Sequence, residues 1–157
     1  MPTQYSFITK WEIKAPIEDV WNAIYLSNNW PNWWKGVLVV KDISTGNTNG
    51  IGDVKRYTWK SALPYKLTFN MKLTENKLYE KLSGIAFGEL EGNGTWIFTH
   101  KNNITYIEYH WNVITNKWWM NIFSFLLKPA FQYNHDVVMR WGAKGLAKKL
   151  NTELISY

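Results

Sequence analysis

The central half of the chain alternates between apolar and polar residues with a period of two, which is the pattern of half-buried β-strands. The clearest case starts at Tyr65, where Leu67 and Phe69 share one face while Lys66 and Thr68 share the other. Turn-forming residues, mainly glycine, asparagine and proline, separate most of these segments. The pattern predicts seven strands, over residues 4–14, 37–44, 54–60, 65–73, 78–84, 89–100 and 104–113.

Two segments show a helical period instead. Pro16 predicts the first turn of a short helix, because a proline at that position loses no helical hydrogen bond. The second pattern runs from about residue 118 to residue 150, and its apolar side holds Phe131, His135, Val138, Met139, Gly142 and Leu146. Pro129 removes one backbone hydrogen bond, so we expect a break near Lys128. Gly142 and Gly145 weaken a helix, and we expect close approach of this helix to the sheet to offset that cost.

These elements predict an α+β domain in which a curved antiparallel sheet wraps around the long C-terminal helix, because a sheet must cover its apolar face. The strand residues on the covered face are unusually aromatic, namely Tyr57, Trp59, Tyr65, Phe69, Trp96, Phe98, Tyr109 and Trp111. Each of them taken alone is compatible with ordinary core packing. Together they are too bulky to close-pack without voids, which favours a cavity for a hydrophobic ligand.

Composition narrows the function classes. The chain has 157 residues and no cysteine, which fits one domain over residues 1–157 and excludes disulfide and thiolate sites. The net charge of +6 would suit nucleic acid, but the lysines are scattered and cluster only at Lys144, Lys148 and Lys149, so we expect no nucleic-acid partner.

No apolar run approaches the roughly 20 residues of a membrane span. We expect a cytoplasmic protein without stable membrane insertion, and the sequence predicts no oligomeric state.

The candidate chemistry centres on one histidine. His100, His110 and His135 lack the spacing of a metal site, and we expect neither a metal nor a cofactor. The first two fall at surface positions, whereas His135 falls on the apolar helix face, where a polar ring is costly unless hydrogen-bonded. Two interpretations stay open. His135 is either a core residue bonded to a backbone carbonyl or to Asn134, or a pocket residue that binds a polar ligand group or transfers a proton.

A family resemblance rests on five segments: WEIKAPIEDVWNAI (residues 11–24), ALPYKLTF (62–69), GELEGNGTWIF (88–98), ITYIEYHWNV (104–113) and NHDVVMRWGAKGL (134–146). Together they resemble the START-like (SRPBCC) superfamily and, within it, the polyketide cyclase/dehydrase and lipid-transport group. The resemblance implies the helix-grip fold, with a seven-stranded antiparallel sheet around the C-terminal helix and an internal cavity for a lipid, polyketide or other hydrophobic molecule. It implies no catalytic residue, although Asn134 and His135 match an Asn-His pair of a bacterial cyclase-like subgroup.

We therefore hypothesise that the chain binds or transports a small hydrophobic ligand, which contacts Tyr57, Trp59, Phe69, Met71, Trp96, Tyr109, Trp111, Asn134 and His135. The alternative is a cyclase/dehydrase-like enzyme that uses proton transfer in the same cavity, with His135 as the candidate catalytic residue. A third interpretation is a partner-binding module with an exposed patch of Trp30, Trp33, Trp34, Trp118 and Trp119. We also expect the segment 28–36 and the start of the last helix to meet at the cavity and gate ligand access.

Overall fold

A computed structural model describes residues 2–157, so Met1, which the predicted domain includes, lies outside the described residues. The strands are β1 (Gln4–Ile13), β2 (Val37–Ser44), β3 (Val54–Lys60), β4 (Lys66–Lys77), β5 (Lys81–Gly88), β6 (Leu90–Lys101), β7 (Ile104–Thr115) and β8 (Leu154–Ser156). They form one curved antiparallel sheet in the order β2-β3-β4-β5-β6-β7-β1-β8. The sheet wraps around a long C-terminal helix, which confirms the predicted α+β helix-grip architecture.

The helices are α1 (Ile17–Tyr25), a 3-10 helix (Ser27–Asn32), α2 (Trp118–Ile122) and α3 (Ser124–Lys149). Helix α1 begins directly after Pro16, and it buries Val20, Trp21 and Ile24 as one apolar stripe. Among residues 2–157, no helix combines the length and the apolar composition that a membrane span requires.

The period-two pattern places its apolar residues on the concave face of the sheet. Along β1, for example, Tyr5, Phe7, Trp11 and Ile13 are buried while the residues between them are more exposed. Neighbouring strands then bring aromatic side chains into cross-strand contact. Strand β6 pairs with β7 in a register that sets Trp96 opposite Tyr109, and their rings stack with centroids 4.0 Å apart.

Two features of the sheet differ from the prediction. The fifth strand covers Lys81–Gly88 rather than residues 78–84, because Tyr79 adopts a left-handed backbone conformation (φ 60°) in the turn before it. A tyrosine in that conformation is unusual, so nothing in the sequence marks the turn. The structure also adds an eighth strand, because β8 pairs with the end of β1 through Ile13 and Leu154.

The predicted break near Lys128 is wrong. The chain breaks earlier, at Phe123 between α2 and α3, and α3 then continues through Pro129. Pro129 lies near the start of α3, so its missing N–H removes one early hydrogen bond, to the carbonyl of Phe125. Helix α3 therefore tolerates Pro129 and extends to Lys149.

The close approach at the two helix glycines is not to the sheet. A Cβ atom on Gly142 would lie 2.4 Å from the Trp34 ring, and one on Gly145 would lie 2.0 Å from the carbonyl oxygen of Trp33. The absence of side chains at Gly142 and Gly145 therefore leaves room for Trp33 and Trp34, which follow the 3-10 helix and pack against α3. This contact compensates for their low helix propensity.

Candidate functional site

A cavity of about 150 Å³ lies between α3 and the concave face of the sheet. Its lining is almost entirely apolar and includes these residues of the predicted site: Trp59, Phe69, Trp96, Tyr109, Trp111, Asn134 and His135. Side chains from β1, the 3-10 helix, α2 and α3 complete it. We call this space the first cavity.

A second cavity of about 170 Å³ adjoins the first. It contains the two remaining predicted residues, Tyr57 and Met71, and it shares with the first cavity the wall formed by Trp30, Trp59, Phe69, Trp96 and Tyr109. Unlike the first cavity, it has charged residues in its lining, namely Asp53, Lys55 and Lys72. The predicted site residues are thus brought together, but around two adjacent spaces.

His135 projects into the first cavity from the inward face of α3. Its ring stacks on Phe7 of β1 with centroids 4.1 Å apart and an interplanar angle of 11°. Neither ring nitrogen has a hydrogen-bond partner among the described residues, and the nearest carboxylate oxygen, on Asp136, is 3.9 Å from Nδ1. The interpretation of a core histidine bonded to a carbonyl or to Asn134 is therefore wrong.

Burial keeps His135 uncharged at neutral pH. It lowers the pKa of the imidazole from 6.5 to about 4, although the Asp136 carboxylate acts in the opposite direction. A neutral imidazole carries one hydrogen-bond donor and one acceptor. His135 is thus able to bind a polar ligand group, but it is a weak base.

The buried tyrosines are also neutral. Burial raises the pKa of Tyr57 to about 12, and a 2.8 Å hydrogen bond between its hydroxyl and that of Ser27 only partly opposes the shift. Burial likewise raises the pKa of Tyr109, whose ring stacks on Trp96. These phenols are hydrogen-bonding groups rather than bases at physiological pH.

Asn134 is a buried residue that lines the first cavity, and it forms no hydrogen bond with His135. Its Oδ1 atom accepts a long hydrogen bond (3.4 Å) from the backbone N–H of Leu63. Asn134 therefore fastens α3 to the loop between β3 and β4. The other predicted histidines lie elsewhere: His110 pairs with Glu108 at 2.6 Å, and the exposed His100 bonds Thr105 at 3.0 Å.

Several residues of the first cavity were not predicted as ligand contacts, chiefly Tyr5, Phe7, Leu90, Met120 and Phe131, although Phe131 was predicted on the apolar side of the helix. Tyr5 and Phe7 lie two residues apart on β1, and Phe131 lies one helical turn before His135. The same periodicities that revealed the other residues could have revealed these three. Met120 carries no such signal, because α2 is too short to show a period.

The predicted exposed tryptophan patch is wrong in part. Trp30 and Trp34 are buried, and their indole N–H groups donate to the carbonyl oxygens of Ala23 (3.1 Å) and Val138 (2.9 Å). Trp33 is half-buried against the core. Trp30 and Trp34 line the first cavity, whereas Trp33 does not, and the gating role of this segment stays a prediction.

The segment around α2 is exposed, as predicted. Trp118, Ile122, Phe125 and Leu126 each expose more than half of their surface, whereas Met120 of the same segment lines the first cavity. Trp119 packs edge-on against Tyr65, with centroids 5.4 Å apart. Helix α2 therefore covers one end of the cavity with a largely apolar outer surface.

Solved structures share this fold. A protein of Thermus thermophilus aligns over 93% of this chain and 97% of its own, with a TM-score of 0.72 and 15% identity. A START superfamily protein from Mycobacterium smegmatis aligns over 94% and 97%, with a TM-score of 0.71 and 10% identity. A Streptomyces aromatase/cyclase aligns over 73% and 70%, with a TM-score of 0.61 and 13% identity.

No protein-family model matches the sequence, and no curated protein matches it. The structural likeness therefore establishes the START-like fold and leaves function to the chemistry of the site.

Proposed function

We propose that this protein binds or transports a small hydrophobic ligand, such as a lipid, a polyketide or another aromatic molecule, in the first cavity. The observation that carries the proposal is an internal space walled by aromatic side chains from the sheet and from α3. Lining of this kind is typical of small-molecule sites. Solved structures of the same fold include a START superfamily protein and an aromatase/cyclase, which agrees with such a use.

Proton-transfer catalysis of the cyclase/dehydrase type is the second candidate. It is favoured by His135, whose unpartnered ring lines the cavity. It is disfavoured by the pKa of that ring, about 4, because a general base works best when its pKa is near the operating pH. We therefore place binding first. A cytoplasmic location and the absence of a nucleic-acid partner remain predictions from the sequence.

Native mass spectrometry of the purified protein, followed by solvent extraction, tests the proposal. We expect a retained small molecule, or else binding of a neutral solvatochromic dye such as Nile red. Dye binding should also quench tryptophan emission, because several cavity walls are indoles.

A matched pair of variants tests the location. Val138 lines the first cavity, whereas Val39 lies on the exposed surface of β2. Val138→Phe should fill the space and abolish dye binding with the fold retained, and Val39→Phe should leave dye binding unchanged. If Val138→Phe does not fold, Val113→Phe probes the same cavity. The proposal fails if the wild-type protein retains no small molecule and binds no dye. It also fails if Val138→Phe and Val113→Phe both fold and still bind the dye.

A further inference from the structure

Most of the residues that bury an unpartnered polar atom also line the first cavity. Within residues 2–157, five residues bury side-chain nitrogen or oxygen atoms that lack a hydrogen-bond partner, namely Tyr5, Trp11, Trp33, Trp59 and His135. Three of them, Tyr5, Trp59 and His135, line the first cavity, and the other two do not. Leaving such a group unpaired costs about 1–3 kcal/mol each.

The polar groups of Tyr5, Trp59 and His135 act mainly as hydrogen-bond donors. An indole N–H donates only, a neutral imidazole donates through one nitrogen, and a phenol hydroxyl donates as well as accepts. Trp59 therefore requires an acceptor atom, and Tyr5 and His135 can each supply a further hydrogen. The partner that fits them carries acceptor oxygens such as those of carbonyl or ether groups.

Neighbouring rings hold each donor in place. Trp59 meets the Trp34 ring edge-on at 5.2 Å (88°), and Tyr5 meets the Phe131 ring edge-on at 5.5 Å. His135 is held by its stack on Phe7. The three side chains come from β3, β1 and α3, so they line the cavity from three different elements.

The first cavity offers no charge to a ligand. Among residues 2–157, no lysine, arginine, aspartate or glutamate lines it, in contrast to the second cavity with its Asp53, Lys55 and Lys72. A carboxylate or phosphate moved into the first cavity would lose its hydration without gaining a counter-charge, which is costly. The cavity therefore selects against ionised ligands.

From these observations, and resting on the proposed function, we infer that the ligand is an uncharged hydrophobic molecule with acceptor oxygens. Its oxygens accept hydrogen bonds from the Trp59 indole N–H and from the Tyr5 and His135 side chains. Free fatty acids, which are anionic at neutral pH, and plain hydrocarbons are the poorer ligands.

Three tricyclic probes of nearly the same shape separate these classes: fluorene, 9-fluorenone and 9-fluorenone-4-carboxylate. Affinities come from quenching of tryptophan emission at neutral pH. We expect 9-fluorenone to bind about tenfold more tightly than fluorene, as one to two net hydrogen bonds would give. The carboxylate should bind at least about tenfold more weakly than 9-fluorenone, because its charge is buried without a partner.

Variants assign the preference to the donors. Trp59→Phe, Tyr5→Phe and His135→Phe each remove a donor but keep an aromatic ring, so the ratio of fluorenone to fluorene affinity should fall toward one while fluorene affinity is kept. Trp11→Phe is the matched control, because Trp11 is a buried, unpartnered indole outside the cavity lining. If Trp59→Phe fails to fold, Tyr5→Phe, which loses a single hydroxyl, still tests the inference.

Each outcome is decisive. Equal binding of fluorene and 9-fluorenone, tight binding of the carboxylate, or a preference that survives removal of all three donors would overturn the inference. In those cases the proposed binding function would still stand, because the cavity would bind hydrophobic probes without forming hydrogen bonds to their oxygen atoms. If none of the probes binds, the proposed function itself is contradicted.

Discussion

Burial shifts the titratable side chains of the first cavity toward their uncharged forms. It raises the pKa of Tyr65 to about 12, raises the pKa values of Tyr5 and Tyr109, and lowers that of His135 to about 4. The physical cause is the same in each case, because a low-dielectric interior penalises whichever form carries charge. The cavity therefore stays uncharged over a wide range of pH.

The buried ring of His135 predicts how the stability of the protein depends on acid pH. Its folded-state pKa lies below the unfolded value, so the unfolded chain binds the proton more readily between about pH 6.5 and pH 4. Stability from this residue is complete above pH 6.5 and declines as the pH falls through that window. We expect the wild-type free energy of unfolding to drop by about 3 kcal/mol more than that of His135→Phe over this window.

Urea unfolding at a series of pH values measures this difference, and subtraction of the variant removes the contribution of the carboxylates. His100→Gln is the control, because His100 is exposed and hydrogen-bonded to Thr105. This variant removes a histidine that lies outside the first cavity. Parallel curves for wild type and His135→Phe would contradict the assigned pKa shift.

At the scale of elements, α3 serves two environments along one helix. Its inward face buries Phe131, Val138, Met139 and Leu146 against the cavity and core. Its first turns, together with α2, leave Phe125 and other apolar residues in solvent. One face of α3 therefore forms part of the cavity wall. The first turns of the same helix are packed less tightly than the rest.

A phenylalanine pair on α3 tests that division. Phe131 exposes 6% of its surface and Phe125 exposes 90%. Phe131→Ala should lower the free energy of unfolding by about 3–5 kcal/mol, because it removes a buried ring that contacts Tyr5 and Tyr65. Phe125→Ala should change it by no more than about 0.5 kcal/mol. Urea unfolding measures both, and equal losses in the two variants would show that the helix face is assigned wrongly.

Across the whole protein, the charged residues lie outside the first cavity. The chain carries a net charge of +6, yet the first cavity has no charged residue in its lining. The basic residues therefore lie outside the first cavity, although Lys55 and Lys72 line the second one.

This separation predicts how binding responds to salt. The affinity for 9-fluorenone should change by no more than about twofold between about 50 and 200 mM salt, because neither ligand nor cavity is charged. A partner held by phosphate contacts would lose several orders of magnitude over the same range. Titrations at several salt concentrations measure this, and a steep salt dependence of ligand binding would count against an uncharged site.

Most of the strands and the aromatic inner face of the sheet are predictable from the order of apolar and polar residues alone. Alternation with a period of two is a local property, so it located most strands and placed Phe69, Trp96 and Tyr109 on the concave side. The helical period located the inward face of α3 in the same way, including His135. Errors of a few residues arose at turns such as Tyr79, whose backbone conformation has no signature in its residue type.

The contacts of each buried side chain depend on packing between segments that are distant in the sequence. Trp34 is an interior residue because its indole bonds the carbonyl of Val138, 104 residues away along the chain, and because Gly142 leaves room for its ring. The same is true of His135, whose ring nitrogens are unpartnered only because of what β1 and α3 bring around them. Periodicity fixes the face on which a residue lies. The neighbour across that face comes from distant parts of the chain, and only the packing of the whole molecule sets it.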